Sequence, residues 1–99
     1  MATDDGQFER RVLRSIDEGL SELGRGLGDS LFRYLRLVKG VGRDQVVAHP
    51  EDFDLALWAI FGEGTPFVLQ LIITSLASEF GMTGTPRSFS EALKMTAKR

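Results

Sequence analysis

The sequence predicts an all-α fold, a compact bundle or orthogonal array of four to five short helices. Three observations carry that reading. Apolar residues return at steps of three and four in one segment after another. No β-type alternation persists anywhere, and glycine and proline fall where helices end and begin. Ninety-nine residues, 42% hydrophobic and 26% charged, suit one core and leave no room for a separate substrate domain.

The first helix is expected from about Asp5 to Leu23, with Asp4 and Asp5 at the end where the helix dipole favours negative charge. Phe8, Val12, Leu13, Ile16, Leu20, Leu23 and Leu27 keep one apolar stripe. Within it, Leu13, Ile16, Leu20, Leu23 and Leu27 have the alternating three-and-four spacing of a coiled-coil seam. Two heptads are too few for an independent coiled coil, so the stripe packs into the core or against a second copy.

Gly24, Gly26 and Gly28 then break the helix. No strand precedes them and no Gly-Lys-Ser/Thr follows, so they form a hinge or C-cap and not a phosphate loop. A second helix, capped by Asp29 or Ser30, runs to about Lys39 with Leu31, Phe32, Leu35 and Val38 inward. Gly40 and Val41 stop it as a Schellman-type pair. Arg33, Arg36, Lys39 and Arg43 recur on its opposite side, a basic stripe suited to an anionic partner.

Asp44 is placed to cap a short turn through Val46 and Val47. His49-Pro50-Glu51-Asp52 opens a helix that ends at Gly62 and carries Phe53, Ala56, Leu57, Trp58, Ile60 and Phe61. The Gly62-Glu63-Gly64 turn is structural, and Thr65-Pro66 restarts the chain by the same cap-then-proline logic. The helix from Pro66 to Phe80 is apolar nearly all round, with Gln70, Thr74 and Ser78 as a narrow polar strip. It is either enclosed at the centre or lies in an oligomer interface. Gly81 and Met82 repeat the Gly40-Val41 stop. Residues 1–82 therefore form the domain. Residues 83–99 are a basic tail, a short helix over Glu91–Lys98 capped by Ser88 or Ser90, or disordered until a partner orders it.

Composition excludes several chemistries. The absence of cysteine removes disulfides, thiolate metal sites and a cysteine nucleophile. A single histidine, His49, precludes polyhistidine metal centres within one chain, and no Gly-x-Ser-x-Gly elbow accompanies it. Glu51, Asp52 and Asp54 do not have calcium-loop spacing; helix-dipole stabilisation accounts for the first two. Trp58 fits a core or interface role. We therefore expect no catalytic residue, no cofactor and no metal.

The polar N-terminus lacks an apolar h-region, and the longest apolar stretch, Phe67 to Ala77, falls short of the ~20 residues that span a bilayer. A cytoplasmic protein without a membrane anchor is expected. Residues 44–86 hold six acids and no Lys or Arg, whereas residues 87–99 are basic. Such segregation fits association better than nucleic-acid binding, which asks for a basic excess that a net charge of −2 does not supply.

The segment from Leu35 to Met82 carries a recognisable pattern. The runs His49-Pro50-Glu51-Asp52-Phe53, Ala56-Leu57, Ile60-Phe61-Gly62-Glu63-Gly64, Leu71-Ile72-Ile73 and Glu79-Phe80-Gly81 together resemble the small archaeal Nitrosopumilus output domains. With the preceding helix the resemblance covers residues 29–82. It implies an archaeal setting and a regulatory role as an output or partner module, and no catalytic residues. No sensor domain is expected beside the segment, and the tail after Gly84 lies outside the resemblance.

The expected function is that of a non-enzymatic interaction domain, a homodimer in a signalling or regulatory system. Its association surface is expected at Leu13, Ile16, Leu20, Leu23, Phe67 and Leu71, so that Leu20→Asp would favour the monomer and leave helicity intact. The alternative is a nucleic-acid-binding regulator that uses Arg33, Arg36, Lys39, Arg43 and the tail.

Overall fold

The computed structural model describes residues 5–24 and 26–97. Asp4, the side chain of Asp5 and Lys98, all invoked above, lie outside what it describes. The described residues form five α-helices and no strand: α1 (Asp5–Ser21), α2 (Leu27–Tyr34), α3 (Pro50–Phe61), α4 (Thr65–Phe80) and α5 (Phe89–Ala97). The all-α bundle of short helices is thus the fold.

The dominant packing is α1 against α4. Gly19 is what lets the two backbones approach. A Cβ there would sit 2.9 Å from the Ile72 Cα and 2.9 Å from the Leu71 carbonyl oxygen, closer than carbon atoms tolerate. Val12, Ile16 and Leu20 of α1 and Val68, Ile72 and Leu76 of α4 belong to one buried cluster with Leu31, Leu35, Phe53, Leu57 and Phe89. The helix that is apolar nearly all round is therefore the central one, touching α1, α3 and α5. Its open side is Phe67, Gln70, Thr74 and Ser78.

Helix α2 differs from expectation at both ends. It starts at Leu27, with Gly26 at the cap position in the left-handed region (φ 85°), so Asp29 sits in the first turn and does not cap. At its far end the chain widens into a π turn, Leu35–Lys39, where the N–H of Gly40 and that of Val41 both reach the Leu35 carbonyl. The wider turn changes the register. The inward positions become Leu31, Leu35 and Val41, and Val38 is turned out to solvent with Leu37. Gly40 (φ 70°) and Gly81 (φ 69°) both end their helices in the left-handed region, as placed from sequence.

Gly42, not Asp44, opens the 3-10 turn Arg43–Gln45, its N–H donating to the Gln45 side chain at 2.8 Å. His49 holds the cap position of α3 through its backbone, accepting from the N–H groups of Asp52 and Phe53, while its side chain makes no cap bond. Gly62 (φ 54°, ψ −126°) turns the chain between α3 and α4. Gly64 is the residue before α4, and the Thr65 hydroxyl, buried, donates back to the Leu57 carbonyl at 3.0 Å. Thr65 thus ties the end of α3 and does not cap α4.

Pro50–Phe80 is one stretch long and apolar enough to cross a membrane by length and composition. It is longer than the run counted from sequence because the turn joining its halves carries only Glu63 as a charge. Gly62 divides it into helices of 12 and 16 residues, the second of which forms the core.

The C-terminal segment corrects the boundary drawn at residue 82. α5 begins at Phe89, not Glu91, and packs on α3 and α4, with Phe89, Ala92, Leu93 and Thr96 buried. Phe89 lies with its ring centre 4.3 Å from that of Phe53. Phe89 is one large apolar residue in an otherwise thin pattern, so the segment reads as a tail, yet it fills the core.

Candidate functional site

Two helices from the association surface expected from sequence face each other instead of a partner. Ile16 and Leu20 are fully buried inside the chain; Leu13 and Leu23 are half-buried against the same core, and Leu71 is half-buried. Of the six residues, Phe67 alone is exposed. The seam-like spacing on α1 is answered within the chain by α4, so that set of residues is not a surface. Leu20→Asp would place a carboxylate in the core, and loss of the fold replaces the expected shift to a folded monomer.

The outward apolar residues are others. Leu37 is 73% exposed, Val38 58%, Leu55 53%, Trp58 54% and Phe67 62%. Val38 is outside because of the π turn and joins Leu37, which a regular helix would also turn outward. On α3, Phe53, Ala56 and Leu57 face inward, leaving Glu51, Leu55 and Trp58 on the far side at i, i+4 and i+7. A helical projection of 50–61 carries that signal; the π turn leaves none in the periodicity.

Three of the four residues of the basic stripe come together. Arg33, Arg36 and Arg43 line an open concavity of about 260 Å³ with Phe32 and Asp29; Lys39, half-buried, is not among its walls. Arg43 is held from two sides. It donates to both oxygens of Asp17 on α1, at 3.2 and 2.6 Å, and lies over the Phe32 ring, 4.7 Å from its centre. Arg33 and Arg36 are exposed and form no ion pair among the described residues. Two guanidiniums are thus uncommitted beside one that is fixed.

A second arginine-lined concavity, on α1, has no counterpart in the sequence reading: Gln7, Arg10, Arg11, Arg14 and Glu79 surround it. Its signal was the spacing of Arg10 and Arg14, one turn apart. Arg11 is spent on structure there. Its Nε–H donates to the Glu79 carboxylate, its Nη2–H donates to the Glu79 carbonyl at 3.0 Å, and its guanidinium covers the Phe80 ring at 4.4 Å. The hydrogen bond from Arg11 holds the Glu79 carboxyl below its ordinary range, against the opposing effect of partial desolvation.

Gly62, Glu63 and Gly64 form a 3-10 turn, with no buried residue, that joins α3 to α4. Among the described residues no group of three or more His, Asp or Glu side chains is placed to hold a metal ion. No known family model, curated protein or solved structure matches this chain.

Proposed function

We propose that this chain is a non-enzymatic helical interaction domain that acts through protein–protein association, with a second copy of itself as the partner. Its setting is a cytoplasmic signalling or regulatory system. The observation that supports this reading best is the outward placement of Leu37, Val38, Leu55, Trp58 and Phe67 on so small a fold. A sole tryptophan left half-exposed on a helix face is the kind of residue that anchors interfaces. The regulatory setting rests on the resemblance of residues 29–82 to the small archaeal Nitrosopumilus output domains, which supplies no catalytic residue.

Association is preferred to nucleic-acid binding on electrostatic grounds. Arg43 is neutralised by Asp17, Asp29 shares the concavity, and Lys39 stands apart, so a phosphate backbone would meet two available arginines and an acid. The test is absolute mass by light scattering over a concentration and salt series. A mass of two chains is expected at high concentration. A single-chain mass throughout, together with salt-sensitive binding to duplex DNA, would overturn the reading.

A further inference from the structure

We infer that the exposed face of α3 in one copy docks on the exposed face of α2 and its π turn in a second copy, reciprocally, about a two-fold axis. This rests on the self-association proposed above and deepens it by naming the two faces. The α2 face is basic and aliphatic: Arg33 and Arg36, without ion pairs among the described residues, are followed directly by the outward Leu37 and Val38. The α3 face is acidic and apolar: Glu51, Leu55 and Trp58 share one side of the helix.

Each face carries what the other lacks. Apolar centres of similar character meet, while arginines oppose a carboxylate at the rim. The apolar contact supplies affinity, and the charges set register and reject the swapped pairing. The two faces belong to helices that pack on each other through their inner sides, with the Phe32 and Phe53 ring centres 6.4 Å apart. A reciprocal pairing of this kind is two-fold symmetric and closes the assembly at two chains. A nucleic acid satisfies only the arginines, leaving Leu37, Val38, Leu55 and Trp58 in water and meeting Glu51 and Asp29. A second copy satisfies the two arginines, Glu51 and the four apolar side chains together.

Complementary charge reversal tests this on the intact chain. One variant, Arg33→Glu with Arg36→Glu, makes both faces acidic; another, Glu51→Arg, makes both basic. Sedimentation equilibrium is expected to show each variant alone dimerising about tenfold or more weakly than the original chain, with unchanged circular dichroism. An equimolar mixture of the two is expected to regain a two-chain mass, because every rim contact is then opposite in sign. Trp58→Gln, which changes no charge, is expected to weaken both the original dimer and the mixed one. If the original chain is dimeric and none of these changes matters, the faces are wrongly assigned while self-association stands. If the mixture stays monomeric, the reciprocal pairing is wrong. A single-chain mass for the original protein would overturn both this inference and the self-association it rests on.

Discussion

The carboxylate of Asp54 on α3 is the N-terminal cap of α5. One oxygen accepts the N–H of Phe89 at 2.8 Å; the other accepts the N–H of Ser90 at 3.0 Å and its hydroxyl at 2.8 Å. A helix start has N–H groups with no partner in the helix, and here a distant residue satisfies two of them. A local box adds to it. The Ser88 hydroxyl accepts the Glu91 N–H at 3.0 Å, and the Glu91 carboxylate accepts the Arg87 N–H at 2.8 Å. With the Phe89 ring packed at a tilt against Phe53, these bonds fix what composition alone presents as a loose tail. Asp54→Ala should release α5 and lower stability by about 2 kcal/mol, read from thermal unfolding. Equal stability would show that the apolar contact alone holds the helix.

Gly19 puts two effects of opposite sign at one position. Alanine in a helix interior usually gains up to about 1 kcal/mol over glycine. Here its methyl would meet α4 backbone at 2.9 Å, and backbone cannot swing aside as a side chain can. Overpacking therefore wins, and Gly19→Ala should destabilise by about 1–3 kcal/mol in chemical denaturation. A gain in stability would mean that α1 and α4 separate at little cost.

The turn between α3 and α4 offers an internal control. Gly62 has φ 54° and ψ −126°, a conformation side chains avoid, whereas Gly64 has φ −79°; an added Cβ would meet no atom within 4 Å at either. Gly62→Val should cost about 1 kcal/mol or more, and Gly64→Ala should leave the melting temperature nearly unchanged. Equal effects would remove the conformational argument.

Glu79 provides a pH signature. Its carboxyl is held below the ordinary value chiefly by the Arg11 hydrogen bond. A carboxylate depressed in the folded state contributes stability above its unfolded pKa, and that contribution disappears as pH falls through the folded one. Glu79→Gln should therefore melt lower than the original chain near neutrality, with the gap closing in acid. A gap that is constant with pH would assign the effect to the seating of Arg11 over Phe80 and not to the Glu79 charge.

The helices were legible in the sequence because their signals are local. Pro50 and Pro66 mark starts, Gly40, Gly62 and Gly81 mark ends, and the three-and-four spacing identifies inward faces. What was not legible depends on distance or on a change of period. The stripe on α1 specifies that Ile16 and Leu20 are covered but not by what, and the cover is α4. The π turn shifts register by widening one turn, so a helix of constant pitch misplaces Val38 inward. Asp54 reads as one of three acids at a helix start, since nothing local links it to a backbone N–H some 35 residues on. The basic stripe was legible as a group, and the ion pair that removes Arg43 from it was not.

Trp58 reports directly on the claim that this chain associates through its outward apolar face. It is the sole tryptophan and is 54% exposed in the single chain. Its emission spectrum, followed over a concentration series alongside mass, should shift to shorter wavelength and become less accessible to acrylamide as two-chain species form. Emission and quenching that stay unchanged while the mass doubles would contradict the account, because the chains would then be meeting elsewhere.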